Sequence, residues 1–308
     1  MAQWDVFSSR PLEGNSLAVF FDGRGLSDAE MQSIAKEMNL SETTFILPRD
    51  RDAAAGDTEM ERERGVRVRI FTVQEELPFA GHPTLGTAFA LRGQTGAREV
   101  RLNLNVGTVP VRFEDDVKED GAERDSRQAS GQSAFAEMTQ VDPVFGAAHS
   151  RDAVAQATGL RIEDFDDSVP IQTVSTGLPY TVTPLKSLEV IRNLRIDMNR
   201  AAEFLAKTDA KFFYFVSRET VDRAARLHAR MLFYNGEDPA TGSAAGCAAA
   251  WMVAHSVAKP DEQVLIEQGL EMKRPSRIFV RASRSNNRVV NVRVGGNAVE
   301  VLRGEVFL

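Results

Sequence analysis

Hydrophobic and polar positions alternate with period two over several short stretches of this chain. Val66, Val68 and Ile70 alternate with Arg67 and Arg69, which predicts a half-buried strand. Trp4 to Phe7 and Ser16 to Phe21 are β-favouring runs separated by Pro11, Gly14 and Asn15, so the chain is expected to open with a hairpin. Helical spacing appears next: Ser27 precedes Asp28 and Glu30, and Ile34, Ala35 and Met38 follow. A capped helix is therefore expected over 28–38, ended by Asn39, with a further strand from Thr43 to Leu47. Two small-residue segments, Pro83 to Leu91 and Ser243 to His255, follow turns rich in Pro and Gly, and each is expected to be a helix that starts at its turn.

The order of elements then begins again. VSTGLPYTV has the layout of the opening hairpin, Ala201 to Ala206 has helical character, and Lys211 to Ser217 is a strand-like run. Residue identities support a duplication: Arg69 and Arg230, Glu76 and Glu237, Pro78 and Pro239, and Gly81 and Gly242 are each 161 positions apart. At 308 residues two comparable domains are expected, 1–130 and 131–299, with a carboxy-terminal strand over 300–308 as a candidate to complete the first. Two charged segments interrupt the pattern. RDRDAAAGDTEMERERG reads as a solvated hairpin insertion, and EDDVKEDGAERDSRQASGQ, from Glu114, reads as the domain linker or a long loop.

Composition narrows the function classes. No apolar run approaches the roughly 20 residues that a membrane span needs, and MAQWDVFSSR lacks the basic and apolar regions of a signal peptide, so no membrane association and a cytoplasmic location are expected. A net charge of −7, with no basic stripe, argues against nucleic acid as a partner. The single cysteine, Cys247, excludes an internal disulfide framework, a multi-thiolate zinc site and two-cysteine catalysis within one chain.

The repeated turns ELPFAGHPTLG and EDPATGSAAGC carry the candidate chemistry. Helix amino termini expose unpaired N–H groups and partial positive charge, so two such turns could cradle a carboxylate or a developing enolate, with Gly81 and Gly242 admitting the ligand close to the backbone. The plainer reading is an ordinary strand-to-helix turn with Ser243 or Thr241 as the cap. His82 stands where Ser243 stands in the second turn, an asymmetry that suggests an oriented substrate. His149, His228 and His255 have no matching acid or cysteine at ligand spacing and are expected in surface or core roles, so no metal site is expected. Glu42, in NLSETTF, is a carboxylate supplied by one half alone, because the comparable stretch of the other half holds Ala210 and Lys211.

GNSLAVF, NLSETTF, RIFTVQEELPFAGHPTLG, EDPATGSAAG and QGLEMKRPS, in this order and over nearly the whole chain, resemble the PhzF-like family of isomerases named for phenazine biosynthesis. The resemblance implies an α+β diaminopimelate epimerase-like fold: two pseudo-symmetric domains, each a β-sheet wrapped around a central helix, with the active site in the cleft between them. It implies Glu42 as the acid/base, with His82, Asp238 and Ser243 around the substrate and the Gly81 and Gly242 backbone as oxyanion-type donors. It also implies a homodimer. Diaminopimelate epimerase uses one cysteine per half, whereas Ala80–Gly81 and Thr241–Gly242 occupy the corresponding turns here, which disfavours two-thiol racemisation. Val73 and Gln74 stand where Thr-Pro is common in the family, so the substrate is left open, and a phenazine pathway does not follow from the family name. The expected function is isomerisation of a small carboxylate metabolite, without cofactor or metal, by moving a proton between carbons. The alternatives are a racemase or epimerase that inverts one carbon, and a non-catalytic metabolite-binding or interaction protein on the same fold.

Overall fold

In a computed structural model of the chain, β1 (Ala2–Val6) and β2 (Asn15–Phe20) form the opening hairpin, with Ala2 opposite Val19 and Val6 opposite Asn15. The structure describes residues 1–48, 61, 63–114, 134–233 and 236–308. The chain divides into two units: Met1–Thr139 with Gly295–Leu308, and Gln140–Val294.

In the first unit, α1 (Asp28–Met38) has the capping box that its sequence predicts. The Ser27 hydroxyl accepts from the Glu30 amide, the Glu30 carboxylate accepts from the Ser27 amide, and Asn39 closes the helix at φ 49°. Met31, Ile34 and Ala35 pack with Phe20, Phe45 and Phe71. Strand β3 (Glu42–Leu47) runs parallel to β2 and antiparallel to β4 (Val66–Phe71), which pairs in turn with the short β5 (Glu76–Leu77). Then follow α2 (Gly81–Thr95), β6 (Glu99–Leu104), β7 (Gly107–Glu114) and β8 (Phe135–Thr139). The carboxy-terminal β18 (Ala298–Arg303) pairs antiparallel with β1.

The second unit repeats this plan. It begins with β9 (Val144–His149), α3 (Arg151–Thr158), β10 (Ile171–Ser175), β11 (Pro179–Leu185), α4 (Leu188–Arg192) and α5 (Met198–Leu205). It continues through β12 (Phe212–Ser217), β13 (Ala225–Phe233), β14 (Gly236–Asp238), α6 (Gly242–Ala254), β15 (Val264–Gln268), β16 (Ser276–Ser285) and β17 (Arg288–Gly296). Pairing repeats with the elements. β10–β11 matches β1–β2, the parallel β11–β12 matches β2–β3, β13–β14 matches β4–β5, and the parallel β13–β15 matches β4–β6. Even the register is kept: Ile70 faces Leu77 where Met231 faces Asp238.

A helix enclosed on all sides has to be apolar or small all round. α2 touches β1, β2, β3, β6, β7, β8 and β18, and is buried from Gly81 to Ala90; α6 is buried from Gly242 to Val253. Gly86 fits this enclosure, since a Cβ there would come within 2.7 Å of the Leu17 and Val6 side chains. Both helices differ in extent from their sequence limits. α2 starts at Gly81 and places Pro83 in its first turn, where a missing N–H is harmless, and it runs to Thr95 with Gly96 as the left-handed cap.

The domain boundary also differs from the expected 130/131: it lies between Thr139 and Gln140. β7 pairs with β8, Glu114 opposite Phe135, so the second charged segment is spliced between two neighbouring strands of the first unit and does not join the units. Residues 115–133 themselves lie outside the described residues, as does most of the first charged segment, 49–60 and 62.

Each unit carries one forked ion pair at the strand leading to its central helix. Arg69 Nε and Nη2 donate to Glu76 at 2.9 and 2.6 Å, and Arg230 Nε and Nη2 donate to Glu237 at 2.7 and 2.6 Å. The pair in the second unit is more deeply buried, and Arg230 Nη1 also donates to the carbonyls of Ile191, Arg192 and Leu194. In the first unit Nη1 instead reaches the exposed Asp28. Breaking a buried pair costs about 3–5 kcal/mol, against less than about 1 for an exposed one. Glu237→Gln is therefore expected to lower the unfolding free energy by about 3 kcal/mol and Glu76→Gln by about 1 kcal/mol. Urea denaturation checks this, and equal losses would contradict the account.

Candidate active site

In the first unit three polar side chains meet at the ends of different elements. Asn15 is the first residue of β2, Glu42 the first of β3 and His82 the second of α2. The Leu17–Glu42 pairing sets Glu42 beside the start of β2, and a hydroxyl contact of 2.9 Å between the buried Thr44 and Thr87 ties β3 to α2. The Asn15 amide lies 3.1 Å from His82 Nδ1, and Glu42 Oε2 lies 3.4 Å from the same nitrogen.

The imidazole of His82 is 2 % exposed, and burial pushes its pKa down to about 3, opposed by a backbone hydrogen bond with Ser16. The ring is thus neutral near pH 7. The Asn15 amide and the Glu42 carboxyl both meet the ring at Nδ1, and Nε2 is buried without a hydrogen-bond partner among the described residues. A neutral ring nitrogen beside a carboxyl oxygen makes a contact that is favourable when one proton lies between them and repulsive when none does. Glu42, 14 % exposed, keeps an edge toward the outside of the unit. The arrangement suits a carboxyl that gains and loses one proton.

In the second unit the turn between β14 and α6 is held by an amide rather than an acid/base pair. Gln268 Nε2 donates to the Asp238 carbonyl at 2.7 Å and to Thr241 Oγ1 at 2.9 Å, while its Oε1 accepts from the Thr241 amide at 3.2 Å and from the Tyr214 hydroxyl at 3.1 Å. Thr241 stands at the cap position of α6, but its hydroxyl donates to Asp238 Oδ2 at 2.6 Å and makes no cap bond; Ala80, capping α2, has no side chain able to do so. First-turn amides of both helices are thus left unclaimed by a capping side chain. Ser243 Oγ lies 2.8 Å from the Tyr180 hydroxyl. Gln140 donates to the Gly242 carbonyl at 3.0 Å, accepts from Thr176 at 2.6 Å, and fills the space beside Gly246 that a Cβ would occupy.

Glu42 and His82 are brought together in one unit, with Gly81 beside His82 in the chain. Asp238, Gly242 and Ser243 occupy one turn of the other. Cys247 is buried in α6, and burial pushes its thiol up to about 11, with Thr176 opposing, so it is not a ready nucleophile. Among the described residues no group of three or more His, Cys, Asp or Glu is arranged to hold a metal ion, and no helix is long and apolar enough to cross a membrane.

Several polar partners escaped the sequence reading. Asn15 read only as a turn former, Tyr180, Tyr214 and Thr176 as members of strand-like runs, and Gln268 as part of a motif without a role. One expectation is corrected: His228 does have acidic partners, Glu267 and Glu271, at 2.8 and 3.2 Å. They lie far along the chain and reach it through the parallel β13–β15 pairing.

A family model described as phenazine biosynthesis-like protein matches residues 4–304. An uncharacterized isomerase of Mesorhizobium japonicum is 37% identical, covering 99% of this chain and 97% of its own. Trans-2,3-dihydro-3-hydroxyanthranilate isomerase of Pseudomonas aeruginosa is 34% identical, covering 99% and 98%. The solved structure of a predicted epimerase from Pseudomonas aeruginosa matches with a TM-score of 0.80 at 34% identity, covering 100% and 98%. The fold is of the diaminopimelate epimerase-like type.

An unfolded histidine takes up a proton below pH 6.5 that folded His82 refuses down to about 3, so His82 contributes stability at neutral pH that is lost as pH falls through this range. The stability difference between the protein and His82→Gln should shrink by up to about 1.4 kcal/mol per pH unit below 6.5. Urea denaturation of both proteins at pH 7 and pH 5 measures it. Parallel pH dependences would show that His82 is not held neutral.

Proposed function

The chain belongs to the phenazine biosynthesis-like (PhzC-PhzF) family and is an isomerase, and on that premise we propose that it moves one proton between carbons of a small cyclic carboxylate, with Glu42 as acid/base and no cofactor. The observation that carries the proposal is the 3.4 Å contact between Glu42 and a neutral, buried His82. Glu42 takes a C–H proton as the carboxylate and returns it to another carbon of the conjugated system as the acid, so no atom is gained or lost. His82 Nδ1 shares that proton with the carboxyl while it resides there, and Asn15 meets the ring at the same nitrogen and fixes its orientation.

The second unit supplies groups suited to the anion. The Ser243 hydroxyl and the first-turn amides of α6 bind the substrate carboxylate, and charge that develops in the dienolate is met by donors already fixed in place. Gly81 and Gly242 present backbone without a Cβ in the way. The named substrate of the Pseudomonas aeruginosa relative, a dihydro-hydroxyanthranilate, is a compound of the proposed class.

A racemase needs a second acid/base on the opposite face of the carbon, and Asp238 is the residue that would offer one. Its Oδ2 accepts the Thr241 hydroxyl at 2.6 Å, which commits that oxygen to holding the turn and favours proton transfer through Glu42 alone.

Turnover of dihydro-hydroxyanthranilate in heavy water should place deuterium on a product carbon. Glu42→Gln should lose this exchange by at least about 10²-fold, and Ser243→Ala should raise KM roughly 10-fold, as for a lost hydrogen bond to a charged group. Undiminished exchange in Glu42→Gln would remove Glu42 from the role.

A further inference from the structure

Two carboxylates face opposite edges of a single buried ring in the second unit. His228, on β13, is fully buried; its Nδ1 lies 2.8 Å from Glu267 Oε1 and its Nε2 3.2 Å from Glu271 Oε1. A neutral imidazole has one N–H and one lone pair, so it could donate to one of these acids only by turning a lone pair on the other. The doubly protonated ring donates to Glu267 through Nδ1 and sets its second N–H within ion-pair distance of Glu271, with no lone pair turned on either acid. Glu267 is itself fixed, accepting from the amides of Val221 and Asp222 at 2.6 and 2.8 Å. Other charged groups close by are Arg230, two residues along the same strand and paired with Glu237, Arg192, 3.9 Å from Glu271 Oε1, and Arg277, opposite Glu267 on β16 and paired with Asp222. They offset the second carboxylate. The facing residue of β12, Ser217, is neutral.

Glu267 and Gln268 are neighbours at the end of β15, and successive side chains of a strand point to opposite faces. Glu267 thus engages His228 while Gln268 engages Asp238, Thr241 and Tyr214. We infer that His228, as an imidazolium clamped between Glu267 and Glu271, is a positioning residue that fixes the end of β15 and, through Gln268, the Asp238–Thr241 turn that opens α6. It matters for turnover because that turn is proposed to hold the substrate carboxylate.

The clamp has a defined pH range. Burial acts to lower the His228 pKa, but its hydrogen bonds to Glu267 and Glu271 outweigh burial and raise it above 6.5; burial acts to raise both glutamates, and their bonds to His228 hold them below 4.5. The imidazolium therefore contributes stability that is complete below pH 6.5 and is lost as pH rises through the raised value. The glutamate contributions are lost only as pH falls through their lowered values. The clamp is closed from mildly acidic pH up to 6.5 and opens as pH rises through the raised His228 value.

Ring nitrogen-15 NMR of the full chain tests this directly, because the chain holds four histidines and His228→Gln identifies one signal by its loss. The expected result is a His228 midpoint above pH 6.5, with the Thr241 amide and the Gln268 side-chain amide shifting at the same midpoint. In Glu271→Gln, which keeps the histidine, the midpoint should fall by about one pH unit. A His228 midpoint at or below pH 6.5 overturns the inference, as does a His228 titration that leaves Thr241 and Gln268 unmoved. No substrate is needed, so failure here leaves the role of Glu42 standing, and loss of the Glu42 role in heavy water leaves the clamp standing.

Discussion

A helix with a sheet folded around it has nowhere to put large or charged side chains, and this steric demand shapes both units. Gly, Ala, Thr, Ser and Cys make up most of the buried turns of α2 and α6, with His82, Pro83, Leu85 and Phe89 in α2 and Trp251, Met252 and Val253 in α6 as the larger side chains. The chain must enter such a helix from the sheet in a few residues, so the entry turn is tight, rich in Pro and Gly, and close to the backbone of neighbouring strands. Its amides also lack the side-chain caps found on α1, α3, α4 and α5. A feature that packing alone requires thus leaves unclaimed donors at one place in each unit.

Tight turns hold a fixed geometry only if something restrains them, and the two units share one restraint and differ in the other. The shared restraint is the Arg–Glu fork across β4–β5 and β13–β14, which locks the strand register just before the helix starts. The other has diverged. In the first unit it is the Asn15–His82–Glu42 group, able to carry a proton; in the second the turn is held by Gln268, an amide that does not titrate. Duplication supplied the frame, and the two entry turns were then furnished with different chemistry.

How much of this could be read from the chain follows from the range of each interaction. The capped helix α1 was legible because Ser27 and Glu30 act on each other within one turn. The duplication was legible because Arg69, Glu76, Gly81 and their counterparts are fixed by the same local geometry twice. The extent of the central helices was less so, since Pro83 looks like a first helical residue when read locally. The boundary near 130 differs from the observed one because a charged run between two paired strands of one unit reads in sequence just as a linker between units does. Gln268 and Glu267 were illegible as partners of Thr241 and His228, since strand pairing across dozens of residues brings them together.

The two buried histidines show how little burial alone decides. His82 and His228 are both shielded from water, which disfavours a charged ring in either case. At His82 the neighbours are an amide that donates and a single carboxyl, so desolvation wins and the ring stays neutral, free to accept a proton's hydrogen bond from Glu42. At His228 two carboxylates outweigh the same penalty and the ring stays charged, committed to holding its neighbours. A neutral ring beside one carboxyl can take part in a proton transfer, and a charged ring held between two carboxylates cannot. Partner count therefore separates the histidine suited to chemistry from the histidine suited to architecture, within one chain and at nearly equal depth.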